Sequence, residues 1–159
     1  MISKSLVVIA LTLALASTAL AAGSSSSSRP PAPPKGQPSD YDLGLKAVQA
    51  GDYSRALTLL ERVVKADPRN ADAWNNIGFS YRKLKHFDQS LAAYQKALAI
   101  NPDHRGANEY LGELYLQIGE LEKARERLAK LQNLCPSGCP EYDDLKKAIE
   151  TYQSAQKKS

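Results

Sequence analysis

The chain has 159 residues, with 21 Lys and Arg against 17 Asp and Glu, and a length that argues against an enzyme built from separate cofactor and substrate lobes. Its formal charge of +4 is concentrated at the start: Lys4, Arg29 and Lys35 precede residue 39, whereas every acidic residue lies between Asp40 and Glu150. From Ser39 onward, 18 basic and 17 acidic side chains leave +1, which excludes the dense cationic face that nucleic-acid binding requires.

Residues 1–21 read as a secretory signal. Lys4 supplies the cationic start, Leu6 to Ala16 is an uncharged apolar run, and Ala19 and Ala21 are the small residues a signal peptidase accepts, with cleavage expected after Ala21. The run falls short of the roughly 20 apolar residues of a membrane span, so no stable membrane insertion is expected after cleavage. No cysteine follows it to carry a lipid. The leader suits a Gram-negative periplasm, with a eukaryotic secretory route as the alternative. Residues 22–38 then form a Ser/Pro-rich flexible linker: they lack any large apolar side chain, and Pro30 to Pro34 favours extended polyproline II.

Residues 39–159 are organised by a 34-residue period. Gly44, Gly78 and Gly112 keep this step, as do Pro68, Pro102 and Pro136. So do the small residues Ala56, Ser90 and Ala124, the bulky trio Leu60, Tyr94 and Leu128, and Tyr53, Phe87 and Leu121. Gly51 and Gly119 mark a turn, with Lys85 between them in register. Apolar residues recur at helical spacing, first as Trp74, Ile77, Gly78 and Tyr81, then as Leu91, Tyr94 and Leu98. Each period is thus predicted to be helix, turn, helix and a Pro-marked stop, because the residue before proline is driven out of helical geometry. Glycine in the first helix is expected to admit the second helix closely, with Trp74 and Tyr81 filling the space between adjacent helices. Neither helix can bury its stripe alone, so the units must stack.

These markers resemble the tetratricopeptide repeat family. The unit over 71–104 carries Trp74, Ile77, Gly78, Tyr81, Ser90, Tyr94, Ala97 and Pro102 at the signature places; the unit over 105–138 has Asn108 where the aromatic belongs; the unit over 37–70 has Ala47 in place of the Tyr. Tyr142, Leu145 and Ile149 extend the register into residues 139–157, where Lys146 replaces the glycine. An all-α solenoid of three repeats and one C-terminal capping helix is expected. Lys146, Lys147, Glu150, Lys157 and Lys158 are expected to give the cap a wet outer face.

The resemblance implies a concave groove lined by the first helices, at Tyr41, Leu45, Gln49, Asn75, Phe79, Arg82, Lys83, Glu109, Glu113 and Gln117. Apolar anchors among charges of both signs fit a peptide or a partner's helix, although Leu45 and Phe79 also suit packing against neighbouring repeats. A subgroup of the family grips chaperone carboxylate tails with Lys, Asn, Asn, Lys and Arg. The matching positions here are Tyr41, Leu45, Asn76, Gly106 and Tyr110, and only Asn76 agrees, so that ligand class is not expected.

Catalytic and cofactor signatures are missing. The only histidines, His86 and His104, fall in turns, and there is no glycine-rich phosphate loop and no H-E-x-x-H pattern. Cys135 and Cys139 are the one local constellation. In an exported chain they favour a structural disulfide across the Pro136–Gly138 turn, with free thiols, a redox switch or half of a metal site as the alternatives. The leading expectation is a non-catalytic protein-interaction module, a scaffold or adaptor without a cofactor. Its rivals are a thiol-dependent redox or metal-handling protein centred on Cys135 and Cys139, and self-association through an exposed helical end.

Overall fold

A computed structural model describes residues 38–157; the signal, the linker up to Gln37, and Lys158 lie outside the described residues. Seven helices follow in order: α1 (Asp40–Gln49), α2 (Tyr53–Ala66), α3 (Ala71–Lys83), α4 (Phe87–Ile100), α5 (Arg105–Gln117), α6 (Leu121–Leu134) and α7 (Pro140–Gln156). No strand occurs among the described residues. The expected all-α repeat solenoid with a capping helix is the architecture observed.

Helix starts are set by side chains that accept the first free amides. Ser39 and Asp42 form a reciprocal capping box on α1, while Asp52 accepts from the Arg55 amide and Asn70 from the Ala73 amide. On α5 the cap is His104, whose Nδ1 accepts from the Ala107 amide at 3.1 Å; Nε2 therefore carries the proton and donates to Asp72 at 3.0 Å, tying α5 to α3. The second helices end as the Pro rule requires, with Asp67, Asn101 and Cys135 at φ near −132°.

First helices end in a left-handed residue. Gly51 and Gly119 sit at φ 75° and 85°, and Lys85 occupies the same conformation at φ 63° without glycine's freedom. The amide two residues past the cap then reaches back, from Asp52 to Ala47, His86 to Tyr81 and Glu120 to Tyr115, at 2.8–2.9 Å. A left-handed side-chain residue costs about 1 kcal/mol. Lys85→Gly is expected to raise stability by nearly that amount, read as a higher urea midpoint at unchanged slope; a lower midpoint would contradict the turn geometry.

Packing confirms two of the three glycine contacts and moves the third. A Cβ at Gly44 would lie 2.9 Å from Leu60, and one at Gly78 2.6 Å from the Tyr94 ring, each in the second helix of its own unit. At Gly112 the neighbour is Leu145 of α7, 2.5 Å away, and not Leu128, which stays half-buried beside Leu131. The cap has moved into the notch that the second helix fills elsewhere. Close approach elsewhere is sealed by Ser90, whose fully buried hydroxyl donates to the Gly78 carbonyl at 2.7 Å.

Trp74 and Tyr81 are half-buried at the edge of the first core cluster, not enclosed between helices. Trp74 keeps its indole N–H on the Pro68 carbonyl at 3.0 Å, with the Lys96 ammonium 4.2 Å over its ring. In the next unit Asn108, fully buried, donates to the Pro102 carbonyl at 3.2 Å and receives Arg127 from α6 at 3.3 Å.

The array bends in a definite sense. α1, α3, α5 and α7 each touch the next in that series, whereas α2, α4 and α6 make no such contacts with one another. Tighter spacing along one row curves the stack toward it, so the first helices and the cap line the inner face.

Candidate peptide-binding groove

The inner face divides into an open N-terminal stretch, an aromatic centre and a charged C-terminal cavity. Tyr41 and Leu45 are half-buried on α1, and Gln49 is exposed at its end. Burial, helped by Asp72 and Asp42, raises the Tyr41 phenol above its ordinary pKa.

Phe79 of α3 is the centre. Its ring meets Tyr53 at 6.1 Å and Tyr110 of α5 at 5.0 Å, both as tilted or edge contacts. The Lys83 ammonium lies 5.1 Å from the same ring centroid, and the Arg82 guanidinium 5.4 Å from Phe79 and 5.6 Å from Tyr110. Phe79 is therefore both a packing residue and a half-exposed surface, and aromatic faces flanked by cations are worth more where water is partly excluded.

Beyond the aromatics, Arg82, Glu109, Glu113 and Gln117 border a cavity of about 620 Å³. Its opposite wall is α7, through Asp144, Lys147, Ala148, Thr151 and Tyr152. These five residues were not expected at the groove: the cap's periodic pattern shows an apolar stripe but not which neighbour the flanking positions face. Lys147, expected on an outer surface, stands at the cavity mouth.

Three residues expected as open groove positions are buried. Asn75 and Glu109 are 7 % exposed and Arg82 is 6 % exposed. Arg82 forms an ion pair with Glu113 at 2.6 Å, while its Nε and the Asn75 Oδ1 are buried without a hydrogen-bond partner among the described residues. Glu109 makes no hydrogen bond or ion pair with a described residue. Desolvation, then repulsion from Glu113, Asp144 and Glu141, pushes its carboxyl up to about 8, against a pull from Arg82. Arg105 lies 3.8 Å from Glu141 Oε1, whereas Glu141 Oε2 is buried without a hydrogen-bond partner among the described residues. Asn76, the sole match to the carboxylate-gripping subgroup, spends its amide on the Asp72 carbonyl at 2.8 Å.

Cys135 and Cys139 form a disulfide with Cα atoms 5.8 Å apart, within the range such a bond spans. Cys135 ends α6 and Cys139 precedes α7, so the bond closes the turn that delivers the cap to the inner row. No cluster of metal-ligating side chains occurs among the described residues, and no described helix is long and apolar enough to cross a membrane.

Repeat units, inner row and cap together define a superhelical repeat protein. Tetratricopeptide repeat models match residues 41–83, 71–104 and 107–138, and the chain belongs to the tetratricopeptide repeat family. It is 30 % identical over 106 residues to the inactive TPR repeat-containing thioredoxin TTL3 of Arabidopsis thaliana, covering 66 % of this chain but 14 % of that protein. Among solved structures it resembles the first TPR of Spaghetti (RPAP3) bound to an HSP90 peptide, with TM-score 0.63 and 23 % identity over 70 % of this chain and 89 % of that one. It also resembles PcrH in complex with the chaperone binding region of PopD, with TM-score 0.62 and 21 % identity over 74 % and 90 %.

Proposed function

We propose that this protein is a non-catalytic, exported interaction module that holds a segment of a partner protein in its inner groove. The carrying observation is the continuity of a half-exposed aromatic centre, Phe79 with Tyr110, and a cavity of about 620 Å³ walled by α3, α5 and α7. Aromatic anchors beside a polar, partly desolvated pocket are the composition of binding hot spots. RPAP3 and PcrH, similar in architecture, hold peptide segments of their partners. Export rests on the leader over 1–21 and agrees with a disulfide, which persists in oxidising compartments. On this reading the module would work in the periplasm of a Gram-negative cell, in a scaffolding or assembly role within the envelope.

The test is a pull-down from envelope extract with the native chain, Phe79→Ala and the Cys135→Ser, Cys139→Ser double variant, each first shown to be helical. The N-terminus of the native preparation should be Ala22. A specific partner is expected with the native chain and the double-serine variant, and at least about tenfold less with Phe79→Ala, the loss of one hot-spot aromatic. Equal recovery by Phe79→Ala would refute the groove; loss confined to the double-serine variant would favour thiol chemistry.

A further inference from the structure

The C-terminal cavity has a charge pattern that specifies more than a generic peptide. Five charged residues line it: Arg82 and Lys147 against Glu109, Glu113 and Asp144. Arg82 is committed to Glu113 at 2.6 Å, and Lys147 is exposed at the mouth. Glu141, next to the cavity, faces Arg105. Glu109 is left 93 % buried by its 7 % exposure, bordering the cavity with no cation of its own. An ionised carboxylate this buried is costly unless a partner charge meets it, and a cationic group of a ligand would supply that charge. Leu116, Ala148 and Tyr152, set among Gln117 and Thr151, give apolar surface along which an aliphatic stem can lie while its charged tip reaches inward.

We propose that this cavity receives a lysine or arginine side chain of the bound partner segment, its cationic group pairing with Glu109 and Asp144. The inference rests on the groove reading above and fixes the chemistry of one anchor within it. The partner segment crosses the Phe79–Tyr110 aromatics and places the basic residue on the α7 side of α5.

Proton linkage follows. The charged groups acting on Glu109 are Arg82 from α3, Glu113 from α5, and Asp144 and Glu141 from α7, with Lys147 also on the cavity wall. Arg127 of α6, behind α5, is turned to Asn108. Burial, followed by the three acidic neighbours acting against Arg82, keeps a proton on Glu109 up to about pH 8 when the groove is empty. A cation must displace that proton to pair, so affinity falls as pH drops below about 8, by about tenfold from pH 9 to pH 7 for one proton. Lysine and arginine stay charged over this range.

The experiment is selection of a random peptide library on the full chain near pH 9, with affinities then measured on the wild type, Glu109→Gln and Phe79→Ala. Selected peptides are expected to share one Lys or Arg. Replacing it with norleucine should weaken binding to the wild type about tenfold and to Glu109→Gln less than about twofold, and Glu109→Gln should abolish the pH slope. Peptides that need Phe79 but share no cation, or that lose equally on both proteins, would overturn the basic anchor and leave the groove standing. No selected peptide, or peptides indifferent to Phe79→Ala, would overturn the groove reading and the anchor with it.

Discussion

Leu145→Ala is expected to destabilise the protein by about 3 kcal/mol, within the range for a buried leucine truncated in a packed core. Leu145 is fully buried and is the side chain against which Gly112 has no room for a Cβ. Truncation leaves a void at the one place where α7 enters α5, and the glycine opposite has no side chain with which to fill it. Leu128→Ala is the internal comparison. The 34-residue period makes Leu128 the equivalent of Leu60 and Tyr94, yet it is only half-buried, and its loss is expected to cost about 1 kcal/mol. Denaturant unfolding of both variants decides the matter: a larger loss for Leu128→Ala would mean that the cap does not occupy the Gly112 notch.

The second expected result is a pH-dependent gain. Glu109→Gln should match the wild type in stability near pH 4 and exceed it by about 2 kcal/mol near pH 9. The carboxyl has an ordinary value of 4.5 and is pushed up to about 8 in the folded chain by burial and by Glu113, Asp144 and Glu141. Below 4.5 it is protonated in both states and carries no penalty. As pH rises toward 8 the unfolded chain sheds the proton more readily than the folded chain, so folding loses ground; above 8 a full charge sits buried among carboxylates. Glutamine removes the titration and keeps the shape. Thermal or urea unfolding across this range checks it, and a variant less stable than wild type at pH 9 would contradict an unpaired Glu109.

Much of this architecture was legible from spacing alone. A step shared by Gly78 and Tyr94 with their counterparts predicted a close glycine contact, and Gly78 meets the Tyr94 ring as that pattern requires. The Lys85 position in register with Gly51 and Gly119 predicted a turn, and all three adopt the same left-handed conformation. The separation of Cys135 and Cys139 across a Pro/Gly turn, in a chain read as exported, favoured a disulfide over free thiols, a redox switch or half of a metal site, and the two are bonded. Gly112 was misread because a periodic pattern identifies the apolar face of a helix but not which of two neighbours reaches it first. The burial of Asn75, Arg82 and Glu109 was hidden for a related reason. On an isolated helix these are polar positions on an open face; only the curvature of the stacked row and the arrival of α7 remove them from water. The cavity's far wall, Asp144, Lys147, Ala148, Thr151 and Tyr152, falls between the register positions Leu145 and Ile149 and beyond them, so its role could come only from three dimensions.

The Trp74 and Asn108 pair bears on how such arrays drift and how new ones are composed. An indole and a carboxamide share little in volume or polarity, yet each directs an N–H at the proline carbonyl six residues earlier. Between these two units a donor aimed at the preceding bend is kept, while bulk is negotiable; the smaller amide even opens a berth for a guanidinium from the adjoining helix. Consensus building by hydrophobicity would install leucine there and lose the tie between helix and bend. A vocabulary of Trp, Asn and similar donors keeps the bend fixed and frees the rest of the site for encoding contacts with whichever helix comes next.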